Sequence, residues 1–219
     1  MATVERILQA ALVLANESGA ARLTTNAMAD EAGISVGNLY YHFRNKDDVL
    51  LALFRQFEGI IEPLLSSDSK VAGLDDWVQW WLQWFDHVQA YSFLFHDQHY
   101  LQTSNSHLRF HYHQWAGQIE KAQKRMLDEL KEVRQLVATQ DDLQRLGCEM
   151  TFIAVFWPDF YLLKQPRPES VQDCSIWSSA LKQMLGLLLP YLRVSAQMQF
   201  EQLIKDADQV LQNRIRPDR

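Results

Sequence analysis

Apolar residues recur at intervals of three and four along most of the chain, which is the spacing of one face of an α-helix. The first repeat predicts a helix from Val4 to Ser18, ended by Gly19, with apolar positions at Val4, Ile7, Leu8, Ala11, Leu12 and Ala15. The sequence has only 8 glycines and 6 prolines, which suits helices joined by short loops. We therefore expect an all-α fold.

The same spacing continues beyond the first fifty residues. It predicts a helix from Lys46 toward Pro63, a serine-rich linker at 66–70, and then a tryptophan-rich helix with its stripe at Trp77, Trp80, Trp81, Trp84, Phe85 and Val88. Further helices are predicted at about 106–137, 141–163, 172–189 and 192–213. This organisation predicts an N-terminal domain at 1–45, a connecting helix at 46–65 and a larger C-terminal helical domain at 66–219.

Residues 24–43 contain two short helical repeats separated by a glycine. Thr25 is suited to cap the first helix, whose apolar positions are Met28, Ala29 and Ala32. Gly33 stands where a left-handed residue ends a helix, and Ser35 is suited to cap the second helix. This second helix is too short to be stable alone in water, so neighbouring helices must hold it. Together these features predict a helix-turn-helix motif, whose second helix enters the major groove of DNA.

A longer motif surrounds this turn. Residues 23–47 read Leu-Thr-Thr-(x)3-Ala-Asp-Glu-Ala-Gly-Ile-Ser-Val-Gly-Asn-Leu-Tyr-Tyr-His-Phe-Arg-Asn-Lys-Asp and resemble the DNA-binding signature of TetR-family transcriptional regulators. The Leu-Tyr-Tyr-His-Phe core is highly specific for that family, and Met28 is a small departure from a usually β-branched position. The resemblance covers about the first quarter of the chain. It implies a recognition helix near Val36–His42 and an all-helical homodimer, usually a repressor that a small ligand releases from DNA.

The side chains best suited to contact DNA lie on this recognition helix and beside it. Asn38 carries an amide that can pair with adenine, and Gly37 permits close approach of the backbone. Hydroxyl groups, backbone N–H groups and Lys46 can bind phosphate. The predicted DNA-binding residues are Thr24, Thr25, Ser35, Val36, Gly37, Asn38, Tyr40, Tyr41, His42 and Lys46. Tyr40 and His42 keep a structural role as an alternative, and Phe43 is interpreted as core.

The charge balance limits how DNA can be bound. The whole chain has a formal net charge of −6, and residues 1–57 carry five basic and six acidic side chains. Contacts to phosphate must therefore come largely from amides and hydroxyls. We predict that the logarithm of the DNA association constant falls against the logarithm of salt concentration with a slope of only about 4 to 8 for a dimer.

The C-terminal part is rich in aromatic residues rather than in catalytic groups. If it binds an effector, we expect the effector to be a small apolar or aromatic molecule, because no arginine cluster selects phosphate or carboxylate. The predicted ligand-binding residues are Trp81, Trp84, Phe85, Phe95, Trp115, Phe152, Phe156 and Trp157. At each single position, packing in the core remains the alternative.

The last helices have broad apolar faces. In the family that this chain resembles, such helices often form a four-helix dimer interface. The residues predicted for this interface are Trp177, Leu181, Met184, Leu185, Leu188, Phe200, Leu203 and Ile204. The alternative is that they belong to the core of a single chain.

Six of the seven histidines lie between His87 and His113. This region gives an alternative function, a helical protein that senses a metal or a small molecule, because helical histidine pairs can hold Zn²⁺. No cysteine or glutamate completes a recognisable metal motif nearby, so we expect solvated or hydrogen-bonded histidines, with no metal and no cofactor.

Other functional classes leave no signature in the sequence. It has no glycine-rich phosphate loop, no Gly-x-Ser-x-Gly and no His-Glu-x-x-His, so we do not expect an enzyme. It has no run of about 18 apolar residues and no signal-like start, so we expect a cytoplasmic protein without a membrane span. Cys148 and Cys174 are expected to be buried thiols, with redox sensing as the alternative.

Overall fold

A computed structural model of the protein describes residues 2–66, 68, 70–164, 174–197, 199 and 202–205. Within these ranges the chain is helical and contains no β-strand, which confirms the all-α prediction. The helices are α1 (Thr3–Ser18), α2 (Thr25–Glu31), α3 (Val36–His42), α4 (Lys46–Leu65), α5 (Leu74–Ala90), α6 (Phe93–His96), α7 (Gln98–Ser104), α8 (Ser106–Glu132), α9 (Gln140–Leu163) and α10 (Cys174–Leu188). Residues 194–197 and 202–205 are also helical.

The chain forms two compact units. The first consists of Met1–Ile61 with Ala90–Trp115, and the second of Glu62–Gln89 with Ala116–Arg219. Both α4 and α8 contribute residues to each unit. The predicted domain limits at 1–45, 46–65 and 66–219 divide the chain by function rather than by compactness, and they stay a prediction.

The first unit is organised around aromatic residues of α4. Phe54 and Phe57 are buried there and contact the rings of Tyr91, Phe95, His111, Tyr112 and Trp115 at centroid distances of 4.7–6.4 Å. The hydroxyl of Tyr112 donates to the carbonyl of Leu94 at 2.6 Å. Burial, with Asp97 nearby, raises the pKa of Tyr112 well above its ordinary value, so this phenol is a neutral donor in the core.

The second unit has its core around the tryptophans of α5. Trp77, Trp81 and Trp84 are fully buried, which agrees with the stripe predicted for this helix. Trp80 is also buried and donates from Nε1 to the carbonyl of Leu64 at 2.8 Å. Trp177 of α10 joins the same core through Phe85, with ring centroids 5.2 Å apart.

Some helices begin or end at other residues than predicted. The spacing of apolar residues does not show the caps and turns that fix these ends. The helix predicted at 106–137 ends at Glu132, because Arg134 takes a left-handed conformation with φ 61°. Its successor begins at Gln140, where Thr139 and Asp142 form a reciprocal capping box. The short helices α6 and α7 were not predicted, since four and seven residues are too few to establish a period.

Helix α9 has two properties that the sequence did not suggest. By length and composition it is the one helix of the described residues that could span a membrane, with a mean hydropathy of 1.3, although core helices of soluble proteins meet the same criterion. Cys148 is exposed on this helix, so the prediction of a buried thiol is wrong there. The side chain of Cys174 lies outside the described residues.

Candidate nucleic-acid interface

The turn between α2 and α3 is fixed by a left-handed glycine. Gly33 has φ 62°, and its N–H donates to the carbonyl of Asp30 while the N–H of Ile34 donates to that of Ala29, both at 3.0 Å. These two bonds form a Schellman motif, which satisfies carbonyls at the end of a helix. The predicted role of Gly33 is therefore confirmed.

Hydroxyl side chains cap both helices of the motif. The Oγ of Ser35 accepts from the N–H of Asn38 at 3.2 Å, as predicted. At the start of α2 the cap is Thr24 and not Thr25, because the Oγ1 of Thr24 accepts from the N–H of Ala27 at 3.2 Å. Because Thr24 and Thr25 are both suited to cap a helix, the sequence alone does not distinguish between them.

Arg6 of α1 stabilises the turn between α2 and α3 through hydrogen bonds to its main chain. Its guanidinium donates to the carbonyl of Ala32 and, at 3.2 Å, to that of Gly33. The last carbonyls of a helix have no partner within the helix, so a charged donor placed there fixes where the helix ends. The sequence did not predict this role of Arg6. Its partners are main-chain oxygens, and since every residue has one, no residue type marks them.

Helix α3 is anchored on one side and open on the other. Leu39 is fully buried, whereas Ser35, Gly37, Asn38, Tyr41 and His42 are exposed. Tyr41 has 84% of its surface accessible, an unusual value for an aromatic side chain. A Cβ added at Gly37 would meet no atom within 4 Å. The outer face of α3 is therefore free to enter a groove.

The threonines and tyrosines beside this face are pre-positioned by contacts with each other. Thr25 Oγ1 and Tyr40 Oη share a hydrogen bond of 3.2 Å, which joins the start of α2 to α3. Tyr40 is 50% exposed, so a structural contact and a contact with phosphate are compatible at this residue. The Tyr41 and His42 rings meet edge to face with centroids 5.1 Å apart. Thr24 is exposed and Val36 half-buried.

Lys46 has partners within the unit. Its Nζ donates to the carbonyls of Ala20 and Ala21, each at 3.2 Å, and lies 5.0 Å from the ring centroid of Tyr100. A phosphate contact by Lys46 stays a prediction, and it would require the ammonium group to share or leave these carbonyls.

A second group of contacts joins α1 to residues 90–97. The amide of Asn16 donates to the carbonyl of Ala90 at 2.9 Å and accepts from Ser92 and Phe93 at 3.1 Å. Asp97 accepts from the N–H of Ala20 at 2.6 Å. These long-range pairs fix the helix-turn-helix motif onto the rest of the first unit, and no sequence pattern indicates them.

The predicted ligand-binding residues fall in different places. Trp81, Trp84 and Phe85 are buried in the second unit, and Phe95 and Trp115 are buried in the first. On α9, Phe152 and Phe156 are 61% and 44% exposed, with ring centroids 5.3 Å apart, and Trp157 is half-buried. The structure therefore brings three of the eight together in one core, and their role in ligand binding stays a prediction.

The residues predicted for a dimer interface pack mainly inside one chain. Trp177, Leu181, Met184, Leu185 and Leu188 of α10 are each no more than 1% exposed. Leu203 is buried and Ile204 half-buried, whereas Phe200 lies outside the described residues. These values favour the alternative of a core role, because a buried side chain offers little surface to a partner.

The histidine-rich region shows no metal site within the described residues, which contain no group of three or more His, Cys, Asp or Glu side chains placed to hold an ion. His111 instead pairs through Nδ1 with Glu58, 3.0 Å from Oε1, and so joins α8 to α4. His99, His107 and His113 are exposed. The metal-sensing alternative therefore has no ligand set in these ranges.

Comparisons with known proteins agree with this geometry. Residues 7–53 match the bacterial regulatory proteins of the tetR family, and residues 56–200 match the bacterial transcriptional repressor family TetR. A fatty acid metabolism regulator protein of Bacillus subtilis is 31% identical over 65 residues, which is 30% of this chain and only 34% of that protein.

Solved structures share the fold over nearly the whole chain. A TetR-family transcriptional regulator from Marinobacter aquaeolei VT8 is 26% identical with a TM-score of 0.84, covering 94% of this chain and 99% of that one. SmeT, the repressor of the Stenotrophomonas maltophilia multidrug efflux pump SmeDEF, is 17% identical with a TM-score of 0.56, covering 90% and 93%. With family matches over both parts of the sequence, the chain belongs to the TetR family of bacterial transcriptional regulators.

Proposed function

We propose that this regulator is a homodimeric repressor that binds a near-palindromic operator in the cytoplasm and is released by a small, uncharged, apolar or aromatic effector. One observation carries the proposal: the outer face of α3 is exposed, while its inner face, its cap and its preceding turn are fully engaged within the first unit. A short helix held in this way is suited to a major groove.

We assign recognition of the base sequence to α3, and much of the affinity for DNA to the phosphate-binding groups beside it. Asn38 can pair with adenine, and Gly37 allows the backbone to approach the bases. The hydroxyls of Thr24, Thr25 and Tyr40 and the ring of His42 surround this face and can contact phosphate. Because the first 57 residues carry no excess of positive charge, neutral donors must supply much of the contact with phosphate.

Dimerisation is assigned to an aromatic stripe on α9. The stripe consists of Phe152, Phe156, Phe160 and Leu163, which are 61%, 44%, 44% and 84% exposed. Spacings of four, four and three place these side chains on one face of the helix, and exposed apolar stripes of this kind mark interfaces. A second copy is a suitable occupant, since a twofold axis would pair the stripe with itself and present two α3 helices to the half-sites of a palindrome.

The effector is assigned to the core of the second unit, where aromatic side chains predominate. Release requires that the effector bind the DNA-free form more tightly than the DNA-bound form, by a coupling free energy that is typically about 1–3 kcal/mol. Regulators of this family are generally not enzymes, and the proposed mechanism needs only binding equilibria.

A footprint of the DNA upstream of the gene itself tests the proposal. The wild-type protein should protect two half-sites separated by about one helical turn, roughly 34–36 Å. Asn38→Ala and Tyr41→Ala should lose this protection while circular dichroism and molecular mass in solution stay unchanged. Wild-type protection retained by both variants would overturn the assignment of α3 as the reading helix.

A further inference from the structure

The outer face of α4 bears an open groove. The groove has a volume of about 470 Å³ and is lined by Phe43, Asp48, Leu51, Ala52, Arg55 and Gln56. Phe43 directly follows α3, and the other five residues belong to α4. All six lie in the first unit, so the groove belongs to one compact body.

The charged side chains of this groove are separated by an apolar centre. Asp48 and Arg55 are seven residues apart in α4, which places them on the same side of the helix and about 10.5 Å apart along its axis. Leu51 and Ala52, both half-buried, lie between them. A carboxylate, an apolar centre and a guanidinium therefore follow one another along the face.

Both charged groups are available to a partner. Arg55 is exposed, and its guanidinium has no hydrogen bond or ion pair among the described residues. The carboxylate of Asp48 accepts from the N–H of Arg44 at 3.3 Å. An ionised carboxylate has about four acceptor positions, so Asp48 can accept further bonds.

The order of the charges selects the kind of partner. A molecule that pairs with both ends needs a cation for Asp48 and an anion for Arg55 at the same separation, with an apolar part between them. DNA, whose phosphates are all negative, does not meet this requirement, and neither does a small molecule with a single charge. A second copy of α4 that runs antiparallel to the first meets it in full.

The complementarity of two copies follows from the positions of the charges. Asp48 and Arg55 are equally far from the midpoint between Leu51 and Ala52. A twofold axis at this midpoint therefore places Asp48 opposite the partner's Arg55, and Arg55 opposite the partner's Asp48. Leu51 and Ala52 meet their own counterparts beside the axis. A contact between identical surfaces requires this kind of self-complementarity.

We propose that the α4 face formed by Asp48, Leu51, Ala52 and Arg55 is a second surface of self-association, which joins the first unit of one dimer to that of another. The proposal goes beyond the proposed function, because neither operator nor effector takes part. One helix face is small and exposed ion pairs contribute little, so we expect a Kd of about 0.1–1 mM. Such a contact forms where copies are concentrated, as on neighbouring sites in DNA.

Charge-reversed variants test the pairing without DNA. In sedimentation equilibrium at up to about 0.5 mM, the mass of the full-length wild type should rise with concentration. Arg55→Glu and Asp48→Lys each place like charges opposite one another, so each alone should weaken this association at least tenfold. In an equimolar mixture, both ion pairs between unlike copies are attractive again, and association should return to within about threefold of the wild type. A mixture that associates as weakly as its components, or a wild-type mass independent of concentration, would overturn the proposal.

A second pair of variants separates this contact from general attraction between charged proteins. Glu17→Lys and Arg109→Glu change the same net charges at exposed residues of the first unit that do not line the groove. Alone and mixed, they should associate like the wild type. The same loss and recovery in these controls would overturn the assignment of the contact to α4.

A cysteine at the centre of the face tests the axis without any change at Asp48. In full-length protein with Cys148→Ser and Cys174→Ser, Ala52→Cys should form a disulfide between subunits under mild oxidation, because the axis brings the two copies of position 52 together. Ala27→Cys, at an exposed position of α2, should remain reduced. No cross-link at position 52, or equal cross-linking at both positions, would overturn the proposal.

Discussion

The guanidinium of Arg6 donates to the main-chain oxygen of Ala32, the C-cap residue that follows α2. Arg6 is 26 positions earlier in the sequence, on α1, and it also binds the carbonyl of Gly33. Because Gly33 is the left-handed residue of the turn, α1 fixes the place from which α3 starts. The pose of the reading helix therefore depends on a residue that does not lie on its accessible face.

Replacing Arg6 should therefore weaken DNA binding indirectly. Arg6→Met keeps the aliphatic stem and removes the donors, so we expect a loss of about 1.5–3 kcal/mol in stability and a Tm lower by roughly 3–10 °C. Below that Tm, the operator Kd measured by fluorescence anisotropy should rise at least tenfold. The control is Arg109→Met, which changes an exposed arginine of the same unit and should leave the Kd unchanged. A wild-type Kd for Arg6→Met would contradict the positioning role.

The turn between α2 and α3 contains features that the sequence predicts and one that it does not. Gly33 and Ser35 were predicted correctly, because a left-handed position and an N-cap each demand particular residue types. Arg6 was not predicted, since its partners are carbonyls distant in sequence.

The final helices show the same limit for apolar patterns. A stripe of large apolar residues on α10 and one on α9 look alike in sequence, yet the first is buried and the second exposed. The spacing of apolar residues predicts that a helix has an apolar face. Whether this face packs in the core of its own chain or against a second copy depends on neighbouring helices, which the spacing does not specify.

The stripe on α9 gives a prediction about assembly. Phe156→Glu should convert the dimer to a monomer, because a carboxylate would be desolvated next to its own copy at the twofold interface. Sedimentation equilibrium measures the mass. Phe110→Glu is the control, since Phe110 is also an exposed phenylalanine, at 61% against 44% for Phe156, but lies on α8. If both variants remain dimers, the assignment of the α9 stripe as the dimer interface is wrong.

Lys46 gives a prediction about salt dependence. We expect Lys46→Met to lower the Tm, since it removes the bonds to Ala20 and Ala21. A slope of log K against log salt that stays unchanged, at about 4 to 8, would contradict the predicted contact of Lys46 with phosphate. If the ammonium group of each subunit bound a phosphate, the slope would fall by about 2 in the variant. Operator titrations at several salt concentrations separate the two outcomes.

Asp142 gives a prediction about pH. Its hydrogen bonds, first with the side chain of Thr139 and then with the main chain of Thr139, lower its pKa from 3.8 to about 2. A carboxylate with a lowered pKa stabilises the folded state fully above pH 4, and this contribution is lost as the pH falls through about 2. Asp142→Ala should therefore reduce stability to urea at pH 7, and the difference from wild type should shrink toward pH 3.

The expected pH dependence belongs to the capping carboxylate and not to negative charge in general. Asp141→Ala removes the adjacent exposed carboxylate and serves as the control. A difference between wild type and Asp142→Ala that stays constant from pH 7 to pH 3 would contradict the assignment.

Gly37 separates folding from DNA recognition more cleanly than any other position on α3. A methyl group there meets no atom of the protein, and alanine favours a helix over glycine by about 1 kcal/mol, so Gly37→Ala should not lower the Tm. Gly59 of α4 is exposed, helical and equally uncrowded, which makes Gly59→Ala the matched control. If Gly37 is glycine because DNA approaches it, only the first substitution will affect binding.

The affinity of Gly37→Ala for the operator, measured by fluorescence anisotropy beside Gly59→Ala and the wild type, therefore shows whether the exposed face of α3 reads DNA. We expect Gly37→Ala to fold and dimerise normally and to bind the operator at least tenfold more weakly, whereas Gly59→Ala should bind like the wild type. Wild-type affinity for Gly37→Ala would contradict the assignment of the exposed face of α3 as the surface that reads DNA.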